Sequence, residues 1–310
     1  MNIERDARVV RTAGRVVVGV DDGAASRAAL VFGATLAGWL GVPLLAVHVY
    51  AEGHGGPETP LLRFGDSARL ARETLDGAVE RAQVEDGITV PITPLLVSGH
   101  RARTLIEHGR RDGILVVGRP QRHGHAALLP EWSVPAQVAG RARCPVAVVP
   151  ASWRPGALPA PVSVGVDLAR TSAVLLEQAV GLAQAAQLPL RVVHAEPSRG
   201  RADPSGSDPG RLRRILQTEL ERAAPPAARV SLAVRDGAPG RVLEEASHDS
   251  AFLVVGRHGV RHRTPHRLGT VARHVLRTAS CPVLLVDAPD RCVPAGERSV
   301  ARAVSTPVGR

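Results

Sequence analysis

The chain has 310 residues, 44% of them hydrophobic, and a formal net charge of +10, which fits a folded protein large enough for two domains. All 39 basic residues are arginine, which excludes a Walker lysine or a lysine general base, and 3 Trp, 3 Phe and 1 Tyr leave few rings for stacking, which argues against a nucleic-acid partner. Its apolar runs are shorter than the ~18 residues of a membrane helix, its N-terminus lacks a signal-peptide core, and its three cysteines show no disulfide or CxxC pattern, so we expect a cytoplasmic protein with no membrane partner.

The sequence contains two copies of one pattern of apolar, glycine and acidic positions. The matching segments are 15–50 with 161–196, 97–120 with 234–258, and 142–150 with 279–289. Such a repeat indicates two similar domains, and we predict them over 1–150 and 160–288. A linker containing Pro and Gly over 151–159 joins them, and the tail over 289–310 is expected to be mobile because it lacks an apolar period.

Short Val-, Leu- and Ile-rich runs alternate with helical segments in each copy, the pattern of a parallel sheet covered by helices on both faces. The five strands predicted for the first domain are 15–20, 43–49, 89–97, 113–118 and 145–149. Those predicted for the second are 161–166, 190–195, 228–234, 251–256 and 282–287. The expected fold class is therefore α/β, with two tandem doubly wound, Rossmann-like domains.

A glycine-rich loop follows the fourth strand of the second domain. Gly256 ends the strand, Gly259 comes three residues later, and Gly269 and Thr270 precede a helix. Ligands of doubly wound sheets bind at the carboxyl ends of the strands, where the strand order reverses. Glycines with positive φ can turn their amides towards phosphate oxygens, and a helix N-terminus adds unpaired amides. The loop therefore fits a phosphate site built without lysine, although a solvated turn can have the same composition.

The spacing G-x2-G-x9-G-[S/T] after the fourth strand, together with V-G-V-D at the end of the first, resembles the nucleotide-binding universal stress proteins. The resemblance covers 14–150 and 160–288. It implies that Asp167 lies beside the adenosine of ATP, with the backbone of Val166 and Val193 near the base, and it leaves open whether Mg²⁺ accompanies the nucleotide. The residues that it assigns to the phosphates and the helix start are Gly256, Gly259, Gly269, Thr270, Val271 and Ala272. From its position alone, Asp167 could instead be a turn or N-cap residue.

The first copy departs from this pattern in the loop after its fourth strand. Asp21 and Gly118 are kept, but Gln121 stands where the second glycine should be. The segment 129–134 reads LPEWSV in place of the closing LGTV, and it places Glu131 and a tryptophan where bare amides are needed. We therefore predict one tight nucleotide per chain, in the second domain, with the first domain empty or holding an uncharged ligand.

Histidines recur in the loop of the second copy, at His258, His262 and His266. Zinc could use such a set, but the loop is rich in arginine and contains neither Cys nor carboxylate. We therefore assign no metal ligand, and we treat these side chains as a polar rim near phosphate. We also assign no catalytic residue, because the sequence shows no paired base and nucleophile.

These features favour a nucleotide-dependent regulator or sensor of the stress response that acts on a protein partner the sequence does not name. One alternative is a slow ATPase or nucleotidyl-transfer enzyme on the same scaffold, and we expect any turnover to lie far below ~1 s⁻¹. Another is an interaction module without nucleotide.

The fifth strands, CPVAVV and CPVLLV, would be hydrophobic sheet edges if they were left open. The family resemblance implies that the two domains pair through these strands as an intramolecular pseudo-dimer. Whether the chain also forms a homodimer is left open.

Overall fold

A computed structural model describes residues 14–51, 64–109, 113–120, 133–156, 160–167, 172–196, 229–257 and 268–286, with 214, 217 and 218. The strands in this part of the chain are β1 (Arg15–Gly19), β2 (Leu44–Tyr50), β3 (Ile92–Ser98), β4 (Gly113–Arg119), β5 (Val146–Pro150), β6 (Val162–Gly165), β7 (Leu190–Glu196), β8 (Val230–Asp236), β9 (Phe252–Gly256) and β10 (Val283–Val286). The helices are α1 (Ala24–Leu40), α2 (Phe64–Val84), α3 (Arg101–Gly109), α4 (Val134–Arg141), α5 (Ser172–Ala185), α6 (Pro239–Ala246) and α7 (Thr270–Thr278), with a 3-10 turn at Ser247–Asp249.

The strands form one sheet in the order β3-β2-β1-β4-β5-β10-β9-β6-β7-β8. All ten predicted strands are confirmed, and the predicted α/β class with it. The largest shift is at β3, which begins at Ile92 because Gly87 turns the chain with a φ of 66° and Pro91 has no amide to donate. Every pair of neighbouring strands is parallel except β5 and β10.

Helices cover both faces of the sheet because successive strand residues point to opposite sides. Val16 and Val18 of β1 belong to an apolar cluster with α1, α2 and α5. Val17 belongs to a second cluster with α3, α4, α6 and α7. All three valines are fully buried, so both faces are filled with core. A ligand therefore has access at the ends of the strands rather than on the faces of the sheet.

The two domains join through β5 and β10, as predicted. These strands run antiparallel, with Val148 opposite Val283 and Ala147 opposite Leu284. Aromatic side chains add to the junction, since Phe252 of β9 lies 5.9 Å from the ring of Phe32 in α1. Pairing the two fifth strands leaves neither of them as an open hydrophobic edge.

Candidate functional site

The strand order reverses between β1 and β4 in the first domain and between β6 and β9 in the second. Val166 and Asp167 directly follow β6, and Gly256 is the last residue of the neighbouring strand β9. The structure therefore brings Asp167, predicted for the nucleoside, and Gly256, predicted for the phosphates, to the same end of the sheet. Asp167 is exposed there, whereas Val166 is buried.

In each domain, a buried histidine is hydrogen-bonded to the backbone carbonyl of the residue before the aspartate. The Nδ1 atom of His194 in β7 lies 3.0 Å from the carbonyl oxygen of Val166, and Nδ1 of His48 in β2 lies 2.7 Å from that of Val20. A carbonyl can only accept, so each Nδ1 carries the proton. The Val166 amide in turn donates to the carbonyl of Val193, at 3.0 Å. The backbone of Val166, which is predicted to lie near the base, is therefore held at both its carbonyl and its amide by residues of β7.

Sequence reasoning missed these two histidines. The available signal was their equivalent position in the two copies, since LLAVHVY and LRVVHAE align within the repeat. A histidine at the same buried position of two equivalent strands requires a hydrogen-bonding partner. That partner is the carbonyl before the aspartate in both domains.

The phosphate end of the second domain is the N-terminus of α7. Gly269 is the N-cap, and its amide donates to the carbonyl of Arg257 at 2.9 Å. Thr270, Val271 and Ala272 are the first three helical residues, and Gly269 has no side chain that could cap their amides. Three amides and the exposed Thr270 hydroxyl therefore lie together at the positive end of a helix. Gly259 lies outside the described residues.

The expected reason for glycine at the N-cap is wrong. Gly269 has a φ of −60° and a ψ of 159°, an extended conformation that any residue adopts. The structure shows what glycine contributes instead: it supplies no side-chain oxygen, and Ser, Thr, Asn or Asp at this position would bond the helix amides.

The corresponding helix of the first domain begins differently. Its N-cap, Ser133, accepts a hydrogen bond from the amide of Ala136 at 3.4 Å. Pro135, the second helical residue, has no amide. Two of the three donors present in α7 are therefore missing or engaged in α4. The predicted obstacles Gln121, Glu131 and Trp132 lie outside the described residues.

Gly118, the strand-end glycine of the first domain, has a packing role. A Cβ atom at this position would collide with the carbonyl group of Ala25 in α1. The glycine therefore permits close contact between β4 and the start of α1 whether or not a phosphate binds.

The first aspartate has a local structural role. An Asp21 carboxylate oxygen accepts from the amide of Gly23 at 2.9 Å, and the Asp21 amide donates to the Ser26 hydroxyl at 2.8 Å. This is the turn that the sequence allowed as an alternative for such an aspartate. Residues 168–171 lie outside the described part of the chain, so both interpretations of Asp167 remain predictions.

A cavity of about 720 Å³ lies at the carboxyl ends of the first domain's strands, within the size range of small-molecule sites. Its walls are mainly apolar, and its polar lining includes Asp21, His48, Arg101 and Ser133. The first domain therefore has a cavity at the carboxyl ends of its strands although the N-terminus of α4 offers fewer free amides than that of α7.

Buried titratable groups occur at the domain junction. Burial lowers the pKa of the Arg119 guanidinium and raises the pKa of the Cys281 thiol to about 12.

The described residues hold no cluster of three potential metal ligands, and His258, His262 and His266 lie outside them. Within the described ranges, no helix is long and apolar enough to cross a membrane.

Comparison with known proteins gives consistent matches across the chain. The model of the universal stress protein family matches residues 12–150 and again 160–287. A universal stress protein of Mycobacterium tuberculosis is 30% identical over 283 residues, covering 87% of this chain and 96% of that protein. A second from the same species is 28% identical over 312 residues, covering 90% and 97%. The solved structure of a universal stress protein from Archaeoglobus fulgidus has a TM-score of 0.65 at 16% identity, covers 89% of this chain and 99% of its own, and shows the shared fold.

Proposed function

The chain belongs to the universal stress protein family, and we propose that it is a cytoplasmic regulator or sensor that binds ATP in its second domain. The observation that carries this proposal is the N-terminus of α7. There the amides of Thr270, Val271 and Ala272 lie behind a glycine N-cap, at the edge of the sheet that carries Asp167 and Gly256. Each well-aligned amide-to-phosphate hydrogen bond contributes about 1.5–3 kcal/mol.

The proposal assigns ATP to one domain only. In α4 the proline and the serine N-cap remove two donors, and the sequence adds the charge of Glu131 in the same loop. A combined loss of about 3 kcal/mol weakens affinity roughly a hundredfold. The first-domain cavity then takes an uncharged ligand or none.

The second-domain site supports binding better than rapid chemistry. Its histidine, His194, uses Nδ1 to hold the Val166 carbonyl, which is a structural task. We therefore expect nucleotide occupancy to be the signal passed to a protein partner, and any ATP hydrolysis to be slower than ~1 s⁻¹.

Isothermal titration of the full chain with ATP and ADP, with and without Mg²⁺, tests the proposal. We expect one tight site per chain. Gly259→Val places a side chain against the phosphates and Asp167→Ala removes a partner of the nucleoside, so each should weaken binding about tenfold or more. The matched variants Gln121→Val and Asp21→Ala, at the equivalent positions of the first domain, should leave the tight site unchanged.

Two tight ATP sites per chain, or one that survives both second-domain substitutions, would mean that the site is assigned to the wrong half. No binding by the wild-type protein up to millimolar ATP would remove the proposal altogether. Phosphate release well above that of the Gly259→Val variant would favour the enzyme instead.

A further inference from the structure

An arginine of the second domain crosses the domain boundary next to the proposed phosphate site. Arg257 directly follows Gly256, and its guanidinium donates to the carbonyl oxygens of Ala139 and Cys144 in the first domain. The distance to the Cys144 oxygen is 2.7 Å. Arg257 is 1% exposed although it carries a charge. Burying a guanidinium is costly unless its donors are satisfied, so this crossing is part of the folded interface.

The first-domain carbonyls belong to the C-terminal end of α4 and to the residues that follow it. Ala139 is in the last turn of that helix, which ends at Arg141, and Cys144 follows shortly after. The end of a helix carries unpaired carbonyls and a partial negative charge, so it is a favourable place for a cation. The second domain thus supplies a cation for the end of a first-domain helix.

The backbone of Arg257 is hydrogen-bonded both to the last strand and to the N-cap of α7. Its amide donates to the carbonyl of Val286 in β10 at 3.0 Å, and its carbonyl accepts from the amide of Gly269 at 2.9 Å. One residue therefore bonds to the last strand, to the N-cap of α7 and to the other domain. A change in how its side chain docks would therefore be transmitted through its carbonyl to the amide of Gly269.

The equivalent arginine of the first domain makes the reciprocal crossing. The guanidinium of Arg119, at the end of β4, donates to the carbonyl oxygens of Arg277 and Ala279, with 2.6 Å to the latter. These carbonyls end α7, the helix whose other end forms the proposed phosphate site. Contacts with the first domain therefore hold both Arg257, which precedes the glycine-rich loop, and the C-terminal end of α7.

We propose that Arg257 is a positioning residue through which the first domain sets how tightly the second domain holds the phosphates of its nucleotide. This inference rests on the proposed function. Because coupling between sites is reciprocal, nucleotide in the second domain also stabilises the docked end of α4. The opposite end of α4, at Ser133 and Val134, lines the first-domain cavity. Ligand binding in either domain therefore changes the ligand affinity of the other.

The binding test compares ATP with adenosine on the full chain. Arg257→Met removes the charge and the crossing, and Arg257→Lys keeps the charge but cannot hold two carbonyls in one fork. We expect Kd for ATP to rise about tenfold in both variants, within the usual range of coupling between sites, and Kd for adenosine to change less than twofold. ATP affinity fully restored by lysine, or an equal loss for both ligands, would overturn the positioning role.

A matched control exists within the same domain. Arg191 donates to Ser163 at 3.0 Å and pairs with Asp249 at 2.7 Å. These contacts lie at the opposite edge of the sheet, near the starts of β6 and β9. Arg191→Met should lower the melting temperature and leave ATP affinity unchanged. A tenfold loss of ATP affinity in this control as well would overturn the inference, since any damage to the domain would then have the same effect.

Hydrogen exchange of the ligand-free protein separates this inference from the proposed function. Arg257→Met and Arg257→Lys should speed exchange at the amides of 268–272 and of α4 about tenfold, with Arg191→Met unchanged at these amides. Unchanged protection in the Arg257 variants overturns the inference whether or not ATP binds. If the wild-type protein binds no ATP, the proposed function is wrong and the exchange result alone decides whether Arg257 positions the loop.

Discussion

Burial controls the chemistry of the Cys281 thiol. The side chain is 2% exposed, and burial raises its pKa from 9.0 to about 12. An unfolded chain ionises this thiol above pH 9, whereas the folded protein keeps the proton, so the stabilisation is complete below pH 9 and is lost as the pH rises towards 12. We expect unfolding in urea to cost about 1.4 kcal/mol less at pH 10 than at pH 8 on this account. The Cys281→Ala variant should lose that part of the pH dependence, and equal slopes in both proteins would contradict the assignment.

We expect the buried amide of Gln178 in α5 to lower stability. The residue is 2% exposed, and among the described residues its Oε1 and Nε2 have no hydrogen-bonding partner. Leaving a buried polar group without a partner costs about 1–3 kcal/mol. Gln178→Met, which keeps the shape, should therefore raise the free energy of unfolding by about 1–2 kcal/mol in urea titration. Gln184→Met, a half-buried position of the same helix, should change it little. Destabilisation by Gln178→Met would show that the amide is satisfied in solution.

Among the elements, α1 and α5 occupy equivalent places in the two domains and are followed by the same left-handed turn, which a glycine makes in one domain and a glutamine in the other. Gly41 caps α1 with a φ of 64°, and Gln187, two residues beyond α5, adopts a φ of 56°. A side chain in this left-handed conformation costs about 1 kcal/mol relative to glycine. Gln187→Gly should therefore stabilise the protein by about 1 kcal/mol and Gly41→Gln destabilise it by a similar amount. A Cβ atom at Gly41 meets nothing within 4 Å, so the second change tests backbone strain alone. Equal melting temperatures for both variants and wild type would refute this.

The helix starts show how two similar elements acquire different capacities. α4 follows β4 and α7 follows β9, and each of these strands has a glycine at or next to its carboxyl end. Both helices pack into the same apolar cluster. The Ser133 N-cap and Pro135 use or remove donors in α4, whereas the glycine N-cap of α7 leaves them available. The different number of free amides at the two helix starts therefore depends on three residues, Ser133, Pro135 and Gly269, rather than on the scaffold.

At the scale of the whole molecule, the sheet is continuous only because β5 and β10 pair. Leu285 is fully buried opposite Val146 in this junction. Leu285→Asp places an unpaired charge there, which is strongly destabilising. We expect aggregation, or separation of the domains seen as elongation in X-ray scattering. Val84→Asp, at a 76% exposed position of α2, should behave as wild type. A compact, soluble Leu285→Asp protein would rule out this junction in solution.

The local pattern of the sequence was sufficient to predict the ten strands and the α/β class, because the alternation of short apolar runs with helical segments is written in consecutive residues. The sequence also showed that CPVAVV and CPVLLV would be hydrophobic edges if left open, and the family resemblance predicted that they pair with each other. The strand-end glycine and the start of α7 were predicted from the apolar run before the loop and the helical pattern after it.

Other features were decided only by the tertiary structure, because they join residues that are far apart in the chain. The carbonyl that holds His194 is 28 residues away, and the one that holds Arg257 is 118 residues away in the other domain. Nothing in the local pattern around GRHG distinguishes an arginine that meets phosphate from one buried against a distant helix end. Burial and partner are properties of the folded arrangement, so the sequence determined where the strands, the strand-end glycine and the helix start lie, and the packing of the two domains decided which side chains bond to the backbone around them.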